Sequence, residues 1–134
     1  MTAAHVNAPL FRSFEQMLIG KDPREALTIT PRICGICPVS HHLASAKVCD
    51  QIVGAEPPRP ANLLRELMHM GQVIQSHGMH FFELAGPDLL LGFDAAPEQR
   101  NVIGLLSLDP ALARQAIGLR RFGQRVIQIL GGRR

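Results

Sequence analysis

Residues 30–47 read TPRICGICPVSHHLASAK: two thiols three positions apart, a proline directly after the second, and a histidine four residues past it. Thiolates are soft donors, suited to transition metals or to redox exchange. Pro38 suits the first position of a helix, where a missing amide hydrogen goes unused, so VSHHLASAKVCDQIV is expected to run as a helix toward Gly54. Cys37 then stands near the N-cap, where the helix dipole and free backbone amides favour its thiolate. His41 lies about one turn further on, its ring above Cys37 on the same face. His42 points to another side and is expected to be solvated or packed.

Several chemistries compete for these residues. A thioredoxin-like exchange site wants its cysteine pair after a strand in a β-α-β unit, which this sequence does not supply. A structural zinc site of Cys34, Cys37, His41 and Cys49 has a familiar composition. Along one helix, however, Cys49 lies about 18 Å from Cys37 at about 1.5 Å per residue, too far to share one ion. Cys49 reads instead as a small buried apolar side chain. A third reading has both thiolates on a soft transition metal with His41 beside them, the remaining ligands coming from another segment or chain. Elsewhere, Glu66 and His69 form an E-x-x-H pair, with His77, His80 and Glu83 further along. A di-iron carboxylate bundle needs two such pairs. Only one occurs, so these side chains read as the polar side of an amphipathic helix.

The elements that must position the thiols are helical. Leu10, Phe11, Phe14, Met17 and Leu18 recur at helical spacing within residues 9–19, with Gly20 as a stop. KDPREALTITPR reads as a loop holding a possible single turn, with Pro31 biasing Thr30 toward extended geometry. The prolines of AEPPRPAN precede a long helix over about residues 60–85, whose stripe is Leu63, Leu64, Leu67, Met68, Gly71, Ile74 and Phe81 or Phe82. Residues 86–107 are expected to form a buried loop with a turn or two of helix. Asp109 and Pro110 open a last helix that ends at Gly131 and Gly132, with an apolar stripe of Leu112, Ile117, Leu119, Phe122, Val126 and Ile129. No strand-turn-strand alternation and no internal repeat occurs. The fold class expected is mainly α.

Composition narrows the function classes. The 134 residues are 46% apolar, enough for one domain with a core. Three cysteines without a charged-then-apolar leader point to a reducing cytoplasm, the thiols free or metal-bound. The longest apolar runs fall short of the roughly 20 residues of a membrane span. No membrane association is therefore expected. Arg120, Arg121, Arg125, Arg133 and Arg134 crowd one end of a chain of net charge +3. Without an aromatic platform or a zinc-finger or RNA-binding signature, they read as a solvated or partner-facing surface, and no nucleic acid is expected.

RICGICPVSHH resembles the motif R-x-C-G-x-C-x-x-x-H of nickel-iron hydrogenase large subunits. FRSFEQMLIGKDPREA is similar to the family's segment ahead of those cysteines. QSHGMHFFELAGPDLLLGFDAAPEQRNVIGL and IQILGGR are most similar to the cytoplasmic bidirectional, NAD-coupled branch. The resemblance implies a helical-bundle fragment of the larger large-subunit fold and reversible oxidation of dihydrogen to protons and electrons. It implies a catalytic set of Cys34, a terminal nickel ligand; Cys37, a bridge from nickel to iron; and His41, a hydrogen-bonding neighbour of the bridging sulfur. Glu15, nineteen residues before Cys34, matches a glutamate that helps bind magnesium. The implied cofactors are nickel, iron with cyanide and carbon monoxide, and possible magnesium. The implied partners are a small subunit with iron-sulfur clusters and a flavin-containing NAD-reducing module.

The family's D-P-C-x-x-C motif is absent after Cys49, and its R-x-E-G-H segment is absent before Cys34. Residues 1–134 are thus expected to be a single N-terminal fragment that supplies half of the cysteine ligands and is inactive alone. The alternative is a non-catalytic remnant or assembly module with a zinc-bound cysteine pair.

Overall fold

The computed structural model describes residue 5 and residues 12–132, which fold entirely as helices and turns with no strand among them. In order these are α1 (Ser13–Gln16), α2 (Pro23–Ile29), a 3-10 turn (Thr30–Ile33), α3 (Pro38–Val53), α4 (Arg59–Met79), a π turn (His80–Ala85), α5 (Gly86–Leu91), α6 (Val102–Leu108) and α7 (Pro110–Gly131). The mainly helical class is as expected from sequence.

Local signals account for most boundaries. Gly54 ends α3 and Gly132 ends α7, both left-handed, at φ 65° and 75°. Asp109 caps α7, its carboxylate accepting from the amides of Ala111 and Leu112 at 2.9 Å. Asn101 does the same for α6 with Ile103 and Gly104. Before Pro87 the helix widens into the π turn. A proline has no amide to give the carbonyl four residues back, and its ring crowds that carbonyl outward.

The segment before the thiols departs from the expected loop. Asp22 and Glu25 form a reciprocal capping box, so residues 23–29 are helical. Thr30 is helical rather than extended, at φ −63° and ψ −37°. The usual penalty of preceding a proline is offset by its buried hydroxyl, which lies 2.9 Å from the Ala26 carbonyl and 2.7 Å from the Ser45 hydroxyl. That contact fastens the 3-10 turn to the middle of α3. Of the described part of the helix expected over residues 9–19, only Ser13–Gln16 is α-helical, Gly20 following at φ 78°. Leu10 of that stretch and Phe11, like Arg133 and Arg134 at the other end, lie outside the described residues. Residues 86–107 form α5 and nearly all of α6, joined by the turns of residues 92–101, and their side chains are largely exposed rather than buried.

The central packing unit is the α4/α7 pair. Its contact face is small and polar: Gly71, Gln72, Gln75 and Gly78 are buried on α4, and Gly123 and Ile127 on α7. A side chain at Gly123 would collide with the Gly71 carbonyl, so the two backbones meet there. Of the stripe predicted for α4, Gly71 is buried and Met68 and Ile74 are half-buried, but Leu63, Leu64 and Leu67 are exposed, as are Ile117, Phe122 and Ile129 of α7. The buried hydrophobic side chains among the described residues are Val39, Leu105 and Ile127. An ion pair between Asp50 and Arg65 at 2.6 Å ties α3 to α4, and Arg120 faces Glu83 at 3.9 Å across α7 and the π turn.

Candidate metal centre

Cys34 ends the 3-10 turn in extended conformation, and Cys37 is the N-cap of α3, as its neighbour Pro38 predicts. His41 sits one turn into the helix, its amide donating to the Cys37 carbonyl at 3.4 Å. Both sulfurs and one ring nitrogen of His41 lie within 4.8 Å of one another, and all three residues are half-buried. Donor atoms about 2.0–2.3 Å from a shared ion lie at most about 4.6 Å apart, so a small side-chain adjustment brings these three onto a common thiophilic metal.

The thiols differ electrostatically, and not in the way the helix dipole alone suggests. The Cys37 amide donates to Cys34 Sγ at 3.2 Å. Hydrogen bonding from the Cys37 thiol, and then from the amides of Cys37 and Ile36, lowers the Cys34 pKa from the ordinary thiol value. Cys37 is pushed up by the same thiol hydrogen bond, then by burial and by the neighbouring sulfur's charge. Two adjacent sulfurs share one proton more easily than they carry two charges, so Cys34 is the readier of the two to ionise and the N-cap position of Cys37 does not decide the order.

The remaining residues singled out from sequence divide. Cys49 is not in the cluster; it is half-buried rather than buried, and its thiol donates to the Pro23 carbonyl at 3.4 Å. His42 is packed, its Nδ1 at 3.0 Å from the Leu27 carbonyl. Glu15 is exposed and paired with Arg12 at 3.2 Å. Glu66 and His80 are exposed, and His77 bonds back to its own helix at the Val73 carbonyl. Among the described residues, no second cluster of His, Cys, Asp and Glu gathers around the E-x-x-H pair.

Two residues were missed from sequence. Gln72 and Gln75 are 4% and 5% exposed on α4. Gln72 Oε1 accepts from the Ser40 amide at 3.0 Å, and Gln75 Nε2 donates to the Ile36 carbonyl at 3.1 Å. The available signal was their spacing of three, which places them on one side with Gly71 and Gly78, a stripe too narrow for solvent.

Residues 12–99, more than half of the chain, match the model of the nickel-dependent hydrogenase family. The chain is 50% identical to one subunit of the F420-non-reducing hydrogenase vhu of Methanocaldococcus jannaschii, over 96% of this chain and 30% of that protein. It is 42% identical to the NAD-reducing hydrogenase HoxS subunit beta of Cupriavidus necator, over 92% of this chain and 27% of that one. Its fold superposes on the crystal structure of an NAD+-reducing [NiFe]-hydrogenase in the H2-reduced state with a TM-score of 0.86 and 54% identity, covering 92% of this chain and 28% of the other. The chain thus spans under a third of the length of these relatives. Mainly helical among its described residues, with a paired-thiol motif inside the matched segment, it belongs to the nickel-dependent hydrogenase family.

Proposed function

We propose that this chain provides the first thiolate pair of a nickel-iron hydrogenase large subunit that oxidises dihydrogen reversibly to protons and electrons. The observation that carries the reading is the convergence of Cys34, Cys37 and His41 within 4.8 Å at the start of α3. Cys34 would hold nickel terminally and Cys37, with a second sulfur lone pair, would bridge nickel and iron. The metal pair, with cyanide and carbon monoxide on iron, supplies the polarisation of dihydrogen when bound. His41 orients and polarises the surroundings of the Cys37 sulfur. Glu15 is the hard carboxylate donor for a magnesium ion, released from Arg12 on binding.

Two thiolates leave such a centre half built, so the chain acts as the N-terminal fragment of a larger assembly. Its partners in that reading are the segment with the complementary cysteines, a flavin-containing NAD-reducing module and an iron-sulfur small subunit. The NAD-coupled branch is supported by the NAD-reducing relatives, although the F420-non-reducing ones are comparably similar. A cytoplasmic setting is consistent with the free cysteines, and no single helix among the described residues is long and apolar enough to cross a membrane.

Metal analysis of the purified chain, alone and co-produced with a segment carrying D-P-C-x-x-C, tests the assignment. Nickel and iron retained together in the combined sample, with hydrogen-dependent dye reduction there and none by the chain alone, is the expected result. Stoichiometric zinc in both samples and turnover in neither favours a non-catalytic module with a zinc-bound cysteine pair.

A further inference from the structure

We propose that Gln72 and Gln75 of α4 are positioning residues that hold the C-G-I-C loop in its metal-ready shape. The inference rests on reading Cys34 and Cys37 as metal thiolates.

Cys37 occupies the N-cap of α3, yet its side chain caps nothing. An N-cap serine or aspartate would turn its oxygen back to the amides of the first turn. Here the sulfur must stay free to bind metal, and a first-turn amide needs another acceptor. Gln72 supplies it from the neighbouring helix, Oε1 accepting from the Ser40 amide at 3.0 Å while its Nε2 meets the Ser40 hydroxyl.

Gln75 acts one peptide earlier. Its Nε2 donates to the Ile36 carbonyl at 3.1 Å. That carbonyl shares a planar trans peptide with the Cys37 amide, which donates to Cys34 Sγ at 3.2 Å. Holding the oxygen on one side therefore aims the N–H at the sulfur on the other. Gln75 is itself oriented, because its Oε1 accepts from Gln124 Nε2 of α7. At 4% and 5% exposure, neither glutamine leaves room for water to replace these bonds. The close α4/α7 approach at Gly71 and Gly123 brings Gln124 within reach.

The test uses the full chain, near-isosteric variants Gln72→Met and Gln75→Met, and Asp109→Ala as a control. Asp109 caps α7 through the amides of Ala111 and Leu112 and touches nothing in the loop. Two readouts are taken: Co2+ affinity with the thiolate-to-cobalt absorption band, and amide hydrogen exchange of the metal-free protein. The glutamine variants should bind Co2+ about 10-fold or more weakly, the usual scale for partners of metal ligands, with an altered band. Exchange should quicken selectively at residues 36–41. Asp109→Ala should melt earlier yet keep affinity and band. Affinities within twofold of the parent, or a loss matched by Asp109→Ala, overturn the proposal. A parent chain that binds no Co2+ removes the metal reading for the chain alone, and exchange then decides the clamp: unchanged protection at 36–41 in both variants rejects it, and selective loss upholds it. Should Gln75→Met not fold, Gln124→Met, which frees only the Gln75 carbonyl, carries the same test with a smaller expected loss.

Discussion

The two thiols of the C-x-x-C pair are chemically unequal before any metal arrives. Cys34 is lowered by the Cys37 thiol and two amides, and Cys37 is raised by the same bond and by burial. Alkylation followed against pH should therefore show Cys34 reacting with a midpoint below that of an ordinary thiol and Cys37 with one above it. In Cys34→Ala, the hydrogen bond and the neighbouring charge that raise Cys37 both disappear, so its midpoint should move down. Mass mapping of the labelled cysteines measures both, and an unmoved Cys37 contradicts the shared-proton account. Cys49 is outside this unit, about 18 Å along α3. Cys49→Ser should leave metal uptake nearly intact, since a hydroxyl can donate to the Pro23 carbonyl as the thiol does. Cys34→Ser and Cys37→Ser should abolish uptake, and His41→Ala should weaken or distort the site without emptying it. Elemental analysis of the four variants, in whichever assembly binds metal, separates these outcomes; loss in Cys49→Ser equal to that in Cys37→Ser revives the zinc set.

Among the helices, the α4/α7 crossing governs the site from a distance. A methyl group at Gly123 collides with the Gly71 carbonyl and meets Gln75 at 2.9 Å, and the carbonyl cannot step aside as a flexible side chain would. Gly123→Ala should accordingly destabilise the chain by about 1–3 kcal/mol, the range for overpacking, and should separate Gln124 from Gln75. Gly118→Ala, on the same helix with open space at its Cβ, should be neutral or slightly stabilising through helix propensity. Denaturant unfolding of the pair checks the contrast. By comparison, Asp109→Ala removes a cap with two amide bonds and should cost about 1 kcal/mol while leaving the metal loop undisturbed.

The whole chain buries little. Leu63, Leu64 and Leu67 on α4, Phe93 and Ile103 beyond it, and Phe122 and Ile129 on α7 are all exposed. A pocket of about 120 Å³ between the π turn, α6 and α7 is lined by Phe82, Leu105, Leu112 and Ile117. Apolar surface on this scale recruits either a partner or a dye. The isolated chain should enhance the fluorescence of a dye that binds exposed apolar surface, and a co-produced complementary segment should suppress that signal. A dye-silent monomer that melts cooperatively would instead describe a self-sufficient domain.

What the sequence determined by itself was local. The α3 start at Pro38, the N-cap position of Cys37, the return of His41 one turn later and both ends of α7 follow from proline, glycine and capping chemistry acting within a few residues. The C-G-x-C motif and its flanking segments were enough to point to the hydrogenase family, because a motif is a linear object. The capping box at Asp22 and Glu25 was equally local and was overlooked beside the turn signal of the Asp-Pro pair. Tertiary structure alone decided which faces are buried. Periodicity marks the leucines of α4 as a core stripe, whereas close backbone approach at Gly71 and Gly123 turns the glycine-glutamine side inward and leaves the leucines outside. It decided too which thiol is the readier to ionise, because a shared proton depends on the distance between two sulfurs and on the amides around them. And it joined Gln72 and Gln75 to residues more than thirty positions away, since a spacing of three puts them on one side of α4 but says nothing of what that side meets through space.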